Sequence, residues 1–535
     1  MDKNHPYEWL RQNSMRYGEN IALEDINNTL TYTEMKTQTD SVVASLHNIG
    51  VRHHDLVAYV SPKNHNEAVL FLAILAMGAI AVPINRLWKP YQMAKSLFHC
   101  GVSWLIADKN VIKAVQAEPL TKKFTFRLID IEFLKREHRE IQPDVITDIT
   151  SDTPSLILFT SGSTGHPKGV VHTCDTLGSW TDSTIEYLGN NHEDRIIGHL
   201  SLSFGYGLNQ FLSALKVGAR FRVASSILTL DALREAVEWG ATGLAGVPQF
   251  WKEAFELLRR GTVNGNDLKL RYITNAGGHL SRDIQLRLKD QIGETDLISM
   301  YGMTETLRSS YVPSKLFEKK AGSLGIPVPG AELTLVDEEN NQCSIGQLGE
   351  IVHSGPTVFL GYWGTSYNTE KKLRSESALS RRNCHTGDIA WQDDDGIFWF
   401  QSRKDRQLKV RGFRFGPHEV EDEVRMIPSV RDAALVSIKN IRNESILHLF
   451  VVQEHTEEGQ LLDQIHQHLR IRVASYMMPN QIHVWTEDFP RTGNGKLDIK
   501  ALITDVTNPQ NSIILSIKKG NFYGKERNNS ISQGI

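Results

Sequence analysis

The chain has 535 residues, 40% hydrophobic and 23% charged, with a formal net charge of −3. That length exceeds what one hydrophobic core sustains, so more than one domain is expected, and the near-balanced charge gives no footprint for a nucleic-acid partner. The four cysteines, Cys100, Cys174, Cys343 and Cys384, form no C-x-x-C pair, which argues against structural zinc and a disulfide scaffold and fits a reducing compartment.

The opening MDKNHPYEWL lacks the apolar run of a signal peptide, so a cytoplasmic protein is expected. Residues 7–17 read as a helix, 21–23 as a strand, and 31–46 as a helix entered through Leu30-Thr31-Tyr32-Thr33. A strand at 56–60 precedes the most apolar stretch, AVLFLAILAMGAIAVPI over 68–84. It is near the lower length limit for a membrane span and carries Gly78 and Pro83 near its end. The expectation is a buried helix ending about Gly78, then a short buried strand, and no span. Up to about residue 330, strands at 104–107, 126–129, 156–159, 195–199, 220–223, 243–247, 272–275 and 296–300 alternate with helical patterns. That rhythm is α/β with largely parallel sheets, whose ligands bind at the C-terminal ends of strands.

From about Ile326 short strands at 332–336, 349–353, 389–392 and 397–400, with turn signals Asn340-Asn341 and Asp395-Gly396, read as a β-rich unit. The pattern changes again near Arg403, with helices at 417–426 and 461–473 and strands at 433–438, 447–452 and 481–485. The expected architecture is a large N-terminal domain of parallel αβ-layered sheets plus a small β-rich subdomain over 1–402. A junction at 403–406, a small α+β domain over 407–505 and a polar tail over 506–535 complete it.

The chemistry concentrates in a few loops. The strand at 156–159 runs into Thr160, Ser161, Gly162, Ser163, Thr164, Gly165, His166, Pro167, Lys168 and Gly169, and Val170-Val171 restart a strand. Glycines turn backbone N–H groups inward, four hydroxyls add donors and Lys168 adds charge, which together describe a polyphosphate cradle. It is not the G-x-x-x-x-G-K-[ST] loop, because Pro167 precedes Lys168 and Gly169 follows it. Tyr301-Gly302-Met303-Thr304-Glu305 follows a strand: Tyr301 suits a purine face, Thr304 a phosphate, and Glu305 a Mg²⁺ ion. Asn275-Ala276-Gly277-Gly278-His279 ends another strand, and its paired glycines permit close approach to a flat ligand. Thr386-Gly387-Asp388 places a carboxylate after a turn, suited to two ribose hydroxyls; Cys384 and His385 beside it lack further metal ligands at suitable spacing. Residues 401–414 form a basic run, and Pro490-Arg491-Thr492-Gly493-Asn494-Gly495-Lys496 delivers one lysine on a glycine-flanked loop, suited to neutralising charge at an attacked phosphate.

The loop at 160–169 resembles the phosphate loop of the adenylate-forming superfamily, which includes acyl-CoA synthetases, stand-alone adenylation domains and luciferases. The other segments resemble that superfamily's signatures in the same order, with Gly349-Glu350, Gly355, Gly361 and Tyr362 among them, over residues 10 to about 505. Where the superfamily usually has Gly, this chain has Ser402. The resemblance implies that Thr160 to Gly165, Lys168, Gly277, Gly278, Tyr301, Gly302, Thr304, Asp388, Arg403 and Lys496 hold ATP. It implies that Lys496, Glu305, Thr304 and Lys168 act in catalysis, that Glu305 holds Mg²⁺, and that Asp405 marks a hinge about which the small domain rotates. The acid pocket is implied at Phe204, Gly205, Tyr206, Asn275, Gly277 and Met303. Relatives that activate amino acids place an Asp in the 203–208 segment; here the position is Gly205, so an aryl or acyl acid is expected rather than an α-amino acid. The implied reaction is acyl-adenylate formation with release of pyrophosphate, then transfer to the thiol of CoA. The alternatives are transfer to the phosphopantetheine of a separate carrier protein, which Lys409 to Arg414 and Asn494 to Asp498 favour, and a non-catalytic nucleotide-binding scaffold, which the intact lysines disfavour.

Overall fold

The computed structural model describes residues 2–132, 150, 152–161, 167–373, 382–404, 408–410, 413–439, 445–454, 458–473, 477–485, 487–492, 497–507 and 512–516. The chain divides into two compact units. One is Met1–Gln347 with Ile351–Thr386 and Gln392–Trp399; the other is Leu348–Glu350 with Gly387–Trp391 and Phe400–Ile535.

The first unit carries two mixed α/β sheets. Among the described residues the larger is nine-stranded. It runs from Ile326–Pro327 through Ser310–Tyr311, Asp296–Tyr301, Tyr272–Asn275, Gly243–Gly246, Arg195–Gly198, Arg220–Val223 and Ile21–Glu24 to Thr29–Thr31. Its inner strands are parallel and its edges antiparallel, so the expected parallel character holds for the middle only. Inner strands such as Gly243–Gly246 and Tyr272–Asn275 are buried at every residue, as strands covered on both faces require. Asn275, Tyr301 and Gly198 end parallel strands at one edge of this sheet, where open α/β sheets bind ligands.

The second sheet has seven strands, in the order Gly361–Tyr362, Pro167–Thr173, Pro154–Ser161, Ile80–Pro83, Leu56–Val60, Trp104–Ala107, Arg127–Asp130. Pro154–Ser161 runs parallel to Ile80–Pro83 but turns back antiparallel as Pro167–Thr173, so a hairpin carries the predicted phosphate loop. The apolar stretch at 68–84 is an interior element: helix His65–Ala76 is buried almost all round, Gly78 follows at φ 67, and strand Ile80–Pro83 completes it. No described helix is long and apolar enough to cross a membrane. Thr31 closes strand Thr29–Thr31 and caps the helix Tyr32–Asn48, accepting from the Glu34 N–H while the Glu34 carboxylate accepts from the Thr31 N–H.

The β-rich part is a four-stranded sheet ordered Glu332–Val336, Gly349–Ser354, Asn383–Gln392, Phe398–Arg403. Asp388 therefore lies inside a ten-residue strand and not after a turn; Gly387, at φ 76, absorbs the irregularity without breaking it.

In the second unit, strands Val430–Lys439, Ser445–Gln453, Gln481–Trp485 and Ser512–Ser516 form one sheet, with helices His418–Arg425 and Glu458–Arg472 beside them. Its core contains Val420, Val424, Leu435, Leu449, Leu461, Ile465 and Ile482. The expected polar tail from 506 does not hold over Ser512–Ser516. That segment, Ser-Ile-Ile-Leu-Ser, has β-branched residues suited to a pleated surface, and its backbone pairs antiparallel with Gln481–Trp485.

Candidate active site

The phosphate hairpin ends in a charged cluster. Residues 162–166, including Gly162, Ser163, Thr164 and Gly165, lie outside the described residues, but Thr160 and Lys168 face each other across the ladder at the hairpin mouth, next to the pair Ser161 and Pro167. The Lys168 ammonium stands 5.2 Å from the centroid of the Tyr362 ring. The Tyr362 hydroxyl donates to the Glu305 carboxylate at 2.5 Å, and both residues are buried. Antiparallel pairing of Gly361–Tyr362 with Val170–Val171 fixes that geometry, and the Phe359 N–H donates to the Glu305 carbonyl at 2.8 Å. Three segments far apart in sequence thus bring Lys168, Tyr362 and Glu305 together.

His172 binds the hairpin to the Tyr301–Glu305 loop. Its Nε2–H donates to the Thr304 carbonyl at 2.9 Å, a carbonyl being an acceptor only. Complete burial lowers its pKa to about 4, so the ring is neutral at pH 7. Tyr301 is the last residue of its strand, the Met303 carbonyl accepts from the Thr306 N–H, and a Cβ on Gly302 would lie 2.8 Å from the Leu307 carbonyl oxygen. Glycine is needed there for this packing.

The predicted acid segment lies beside these loops. Phe204 precedes helix Gly205–Val217, and its ring lies 3.7 Å from where a Cβ on Gly277 would sit. A Cβ on Gly205 would lie 3.3 Å from Leu158, in the phosphate strand, and 3.7 Å from Trp180. Phe204 and Tyr206 meet edge to face with centroids 6.4 Å apart, and the Tyr206 hydroxyl pairs with that of Thr274 at 2.5 Å. Asn275 is buried at the strand end with no partner for its Oδ1 among the described residues, and Gly278 packs near Pro248. The phosphate strand, the Asn275–Gly278 turn and the Phe204–Tyr206 segment therefore converge.

In the second unit, Arg403 pairs with the buried Asp388 at 2.9 Å, while Lys404 pairs with Glu350 at 3.0 Å and the Gly387 N–H donates to Glu350 at 2.9 Å. Asp405 and Lys496 lie outside the described residues. The buried Ser402 hydroxyl has no hydrogen-bond partner among the described residues.

Three buried positions beside these loops escape sequence reasoning. His172 reads as one more residue of a strand. Glu67 sits in an apolar helix, where burial pushes its carboxyl up to about 8 although Lys63 and N–H groups of Ser203 and Leu202, just before Phe204, pull it back. Arg308 follows the Tyr301–Glu305 motif and is only 4% exposed, yet no described carboxylate forms an ion pair with it. The one available signal is the arginine itself, three residues after the motif's carboxylate.

Comparison with known proteins agrees with this geometry. The AMP-binding enzyme family model matches residues 10–363, and that of the AMP-binding enzyme C-terminal domain matches 419–496. The chain is 25% identical over 495 residues to a plipastatin synthase polypeptide of Bacillus subtilis, covering 91% of this chain but 19% of that protein. The chain thus spans about a fifth of that relative's length, and 47% of the anguibactin system regulator of Vibrio anguillarum, another relative. With the indoleacetate–CoA ligase of Aromatoleum aromaticum it shares 26% identity over 525 residues, covering 94% of this chain and 98% of that one. The structure of ATP-bound MatB from Rhodopseudomonas palustris aligns with a TM-score of 0.85 at 22% identity, covering 94% and 99% of the two chains. The fold, the converging loops and a family model spanning most of the chain agree: this protein belongs to the adenylate-forming family of AMP-binding enzymes.

Proposed function

We propose that this chain is an AMP-forming acid–thiol ligase acting on an aryl or acyl carboxylic acid, with CoA as the thiol. The observation that carries the reading is the Lys168–Tyr362–Glu305 cluster at the mouth of the phosphate hairpin. In the first half-reaction an acid oxygen bonds to the α-phosphorus of ATP as the bond to the bridging oxygen breaks, and pyrophosphate leaves. In the second, a thiolate sulfur bonds to the acyl carbon, the acyl–phosphate C–O bond breaks, and AMP leaves.

Lys168 and the 160–165 loop cradle the phosphates, Thr304 donates to one, Tyr301 and Gly302 with Gly277 and Gly278 border the adenine, and Asp388 with Arg403 engages the ribose. Lys496 offsets charge at the attacked phosphate. One buried carboxylate, Glu305, fits Mg²⁺, which takes most of its ligands from phosphate and water. When bound, the ion neutralises phosphate charge. Leu158 and Trp180 around Gly205 support an aryl or acyl acid over an α-amino acid, whose ammonium would lack a partner.

A second reading, transfer to a carrier protein's phosphopantetheine, rests on Lys409 to Arg414 and Asn494 to Asp498. Pyrophosphate release measured with and without CoA separates the two. Acceleration by CoA supports the first, and adenylation indifferent to CoA supports the second.

A further inference from the structure

Arg308 is buried to 4% exposure, beside the rings of Tyr206 and Tyr187. Its guanidinium carbon lies 5.1 Å from the centroid of Tyr206. It hydrogen-bonds the Tyr187 phenol, a neutral partner, and its charge pulls back the rise that burial gives the phenols of Tyr187 and Tyr206. The Nε–H has no hydrogen-bond partner among the described residues, and no described carboxylate forms an ion pair with the guanidinium. Half-buried Arg220, Arg222 and Arg271 of this unit are matched by Glu24, Glu235 and Asp194, and half-buried Arg195, also without a described carboxylate, donates to the Trp239 carbonyl; Arg308 is the more deeply buried. A buried cation without a counterion is costly, and folds retain such a group where a ligand completes it.

The backbone adds an independent sign. Leu307, a non-glycine residue, sits at φ 57 in the left-handed region, and the Arg308 N–H closes a tight three-residue turn on the Thr306 carbonyl at 2.6 Å. Such strain persists where surrounding structure enforces it, and here it accompanies the turn of the chain into Arg308 directly after the Glu305 loop. Tyr206, against which the guanidinium lies, is one ring away from Phe204 and the Gly277 turn.

We propose that Arg308 is the counterion for a second carboxylate of the substrate, so that the acid activated is a dicarboxylic acid. This rests on the reading of Phe204, Gly205 and Tyr206 as the acid segment. One carboxylate reacts at the α-phosphate, and the other meets the guanidinium, whose planar fork matches carboxylate geometry. The same charge repels an α-ammonium group.

The test measures acid-dependent pyrophosphate release by the full chain with ATP and Mg²⁺. The substrates are straight-chain and aryl dicarboxylic acids, each against its monomethyl ester. At least one diacid is expected to exceed its own ester in kcat/KM by roughly 100-fold, the worth of a charge-assisted bidentate contact. In Arg308→Met that ratio falls to near one, chiefly through KM, and in Arg308→Lys it recovers in part. If a variant fails to fold, the wild-type ratios decide alone. Turnover of esters and simple monoacids equal to or above that of every diacid overturns the inference and leaves the ligase reading standing. No pyrophosphate from any acid overturns both.

Discussion

Lys168, Tyr362 and Glu305 lie far apart in the chain and act as one group, because the ladder between Gly361–Tyr362 and Val170–Val171 brings the tyrosine under the lysine. Tyr362→Phe removes the hydroxyl that holds Glu305, a hydrogen bond to a charged acceptor. The expected outcome is about a tenfold loss in kcat for pyrophosphate release with the fold retained by circular dichroism. An unchanged kcat would show that Glu305 needs no such support. Lys496→Ala is expected to cost adenylation on the order of 100-fold or more, the scale of losing one preorganised electrostatic contact, while thioester formation from supplied acyl-adenylate is largely spared. Equal loss in both half-reactions would contradict its assignment to the first. At this scale small residues and charges form contiguous motifs that sequence reading picks out, as at 160–169, of which 162–166 lie outside the described residues, and at 301–305. Sequence reading is silent for His172, Glu67 and Arg308, whose environments come from burial and contacts distant in the chain.

At the scale of elements, the turn before helix Gly205–Val217 is the most constrained part of the acid segment. A Cβ on Gly207 would lie 2.3 Å from the Ser201 carbonyl oxygen, a backbone atom that cannot rotate away, and the Phe204 N–H donates to that same carbonyl at 3.1 Å. Gly207→Ala therefore moves the turn that carries Phe204. The expected outcome is a stability loss of about 1–3 kcal/mol with a raised KM for the acid, read by thermal melting and kinetics. The second unit offers another test. Removing the chain from residue 508 onward deletes strand Ser512–Ser516 and bares the edge of Gln481–Trp485. Lower solubility or a lower melting transition for that unit is expected, whereas indifference would mean that the strand does not protect the edge. Most strands were legible because their runs are short, apolar and bounded by turn residues. The strand at 512–516 was missed because a polar flanking sequence outweighs five residues of β pattern, and the strand through Thr386-Gly387-Asp388 because its glycine reads as a break.

For the whole molecule, burial of ionisable groups in the first unit couples stability to pH. Burial lowers His5, His172 and His353 to about 4 and His199 to about 3, below the ordinary value of 6.5. The folded state then binds fewer protons than the unfolded chain between 6.5 and those values. The contribution of these histidines is full above pH 6.5 and falls as pH drops through that window, while Glu67, raised to about 8, acts in the opposite sense as pH rises from 4.5 to 8. Melting followed from pH 7.5 to 4.5 is expected to show this decline for the first unit, with a smaller slope in His353→Gln; a flat profile would contradict the neutral buried rings. The α/β class and the change of pattern near Arg403 were legible in strand–helix rhythm. The mixed character of the sheets was not, since strand direction depends on pairing partners that no local window contains.

The central claim is that the converging loops activate an acid with ATP. Pyrophosphate release with ATP and Mg²⁺ across aryl, short-chain, long-chain, dicarboxylic and amino acids, with and without CoA, tests it most directly. The account predicts release that requires an acid of the aryl or acyl class, prefers a diacid and is accelerated by CoA. Release from none of these acids would contradict it.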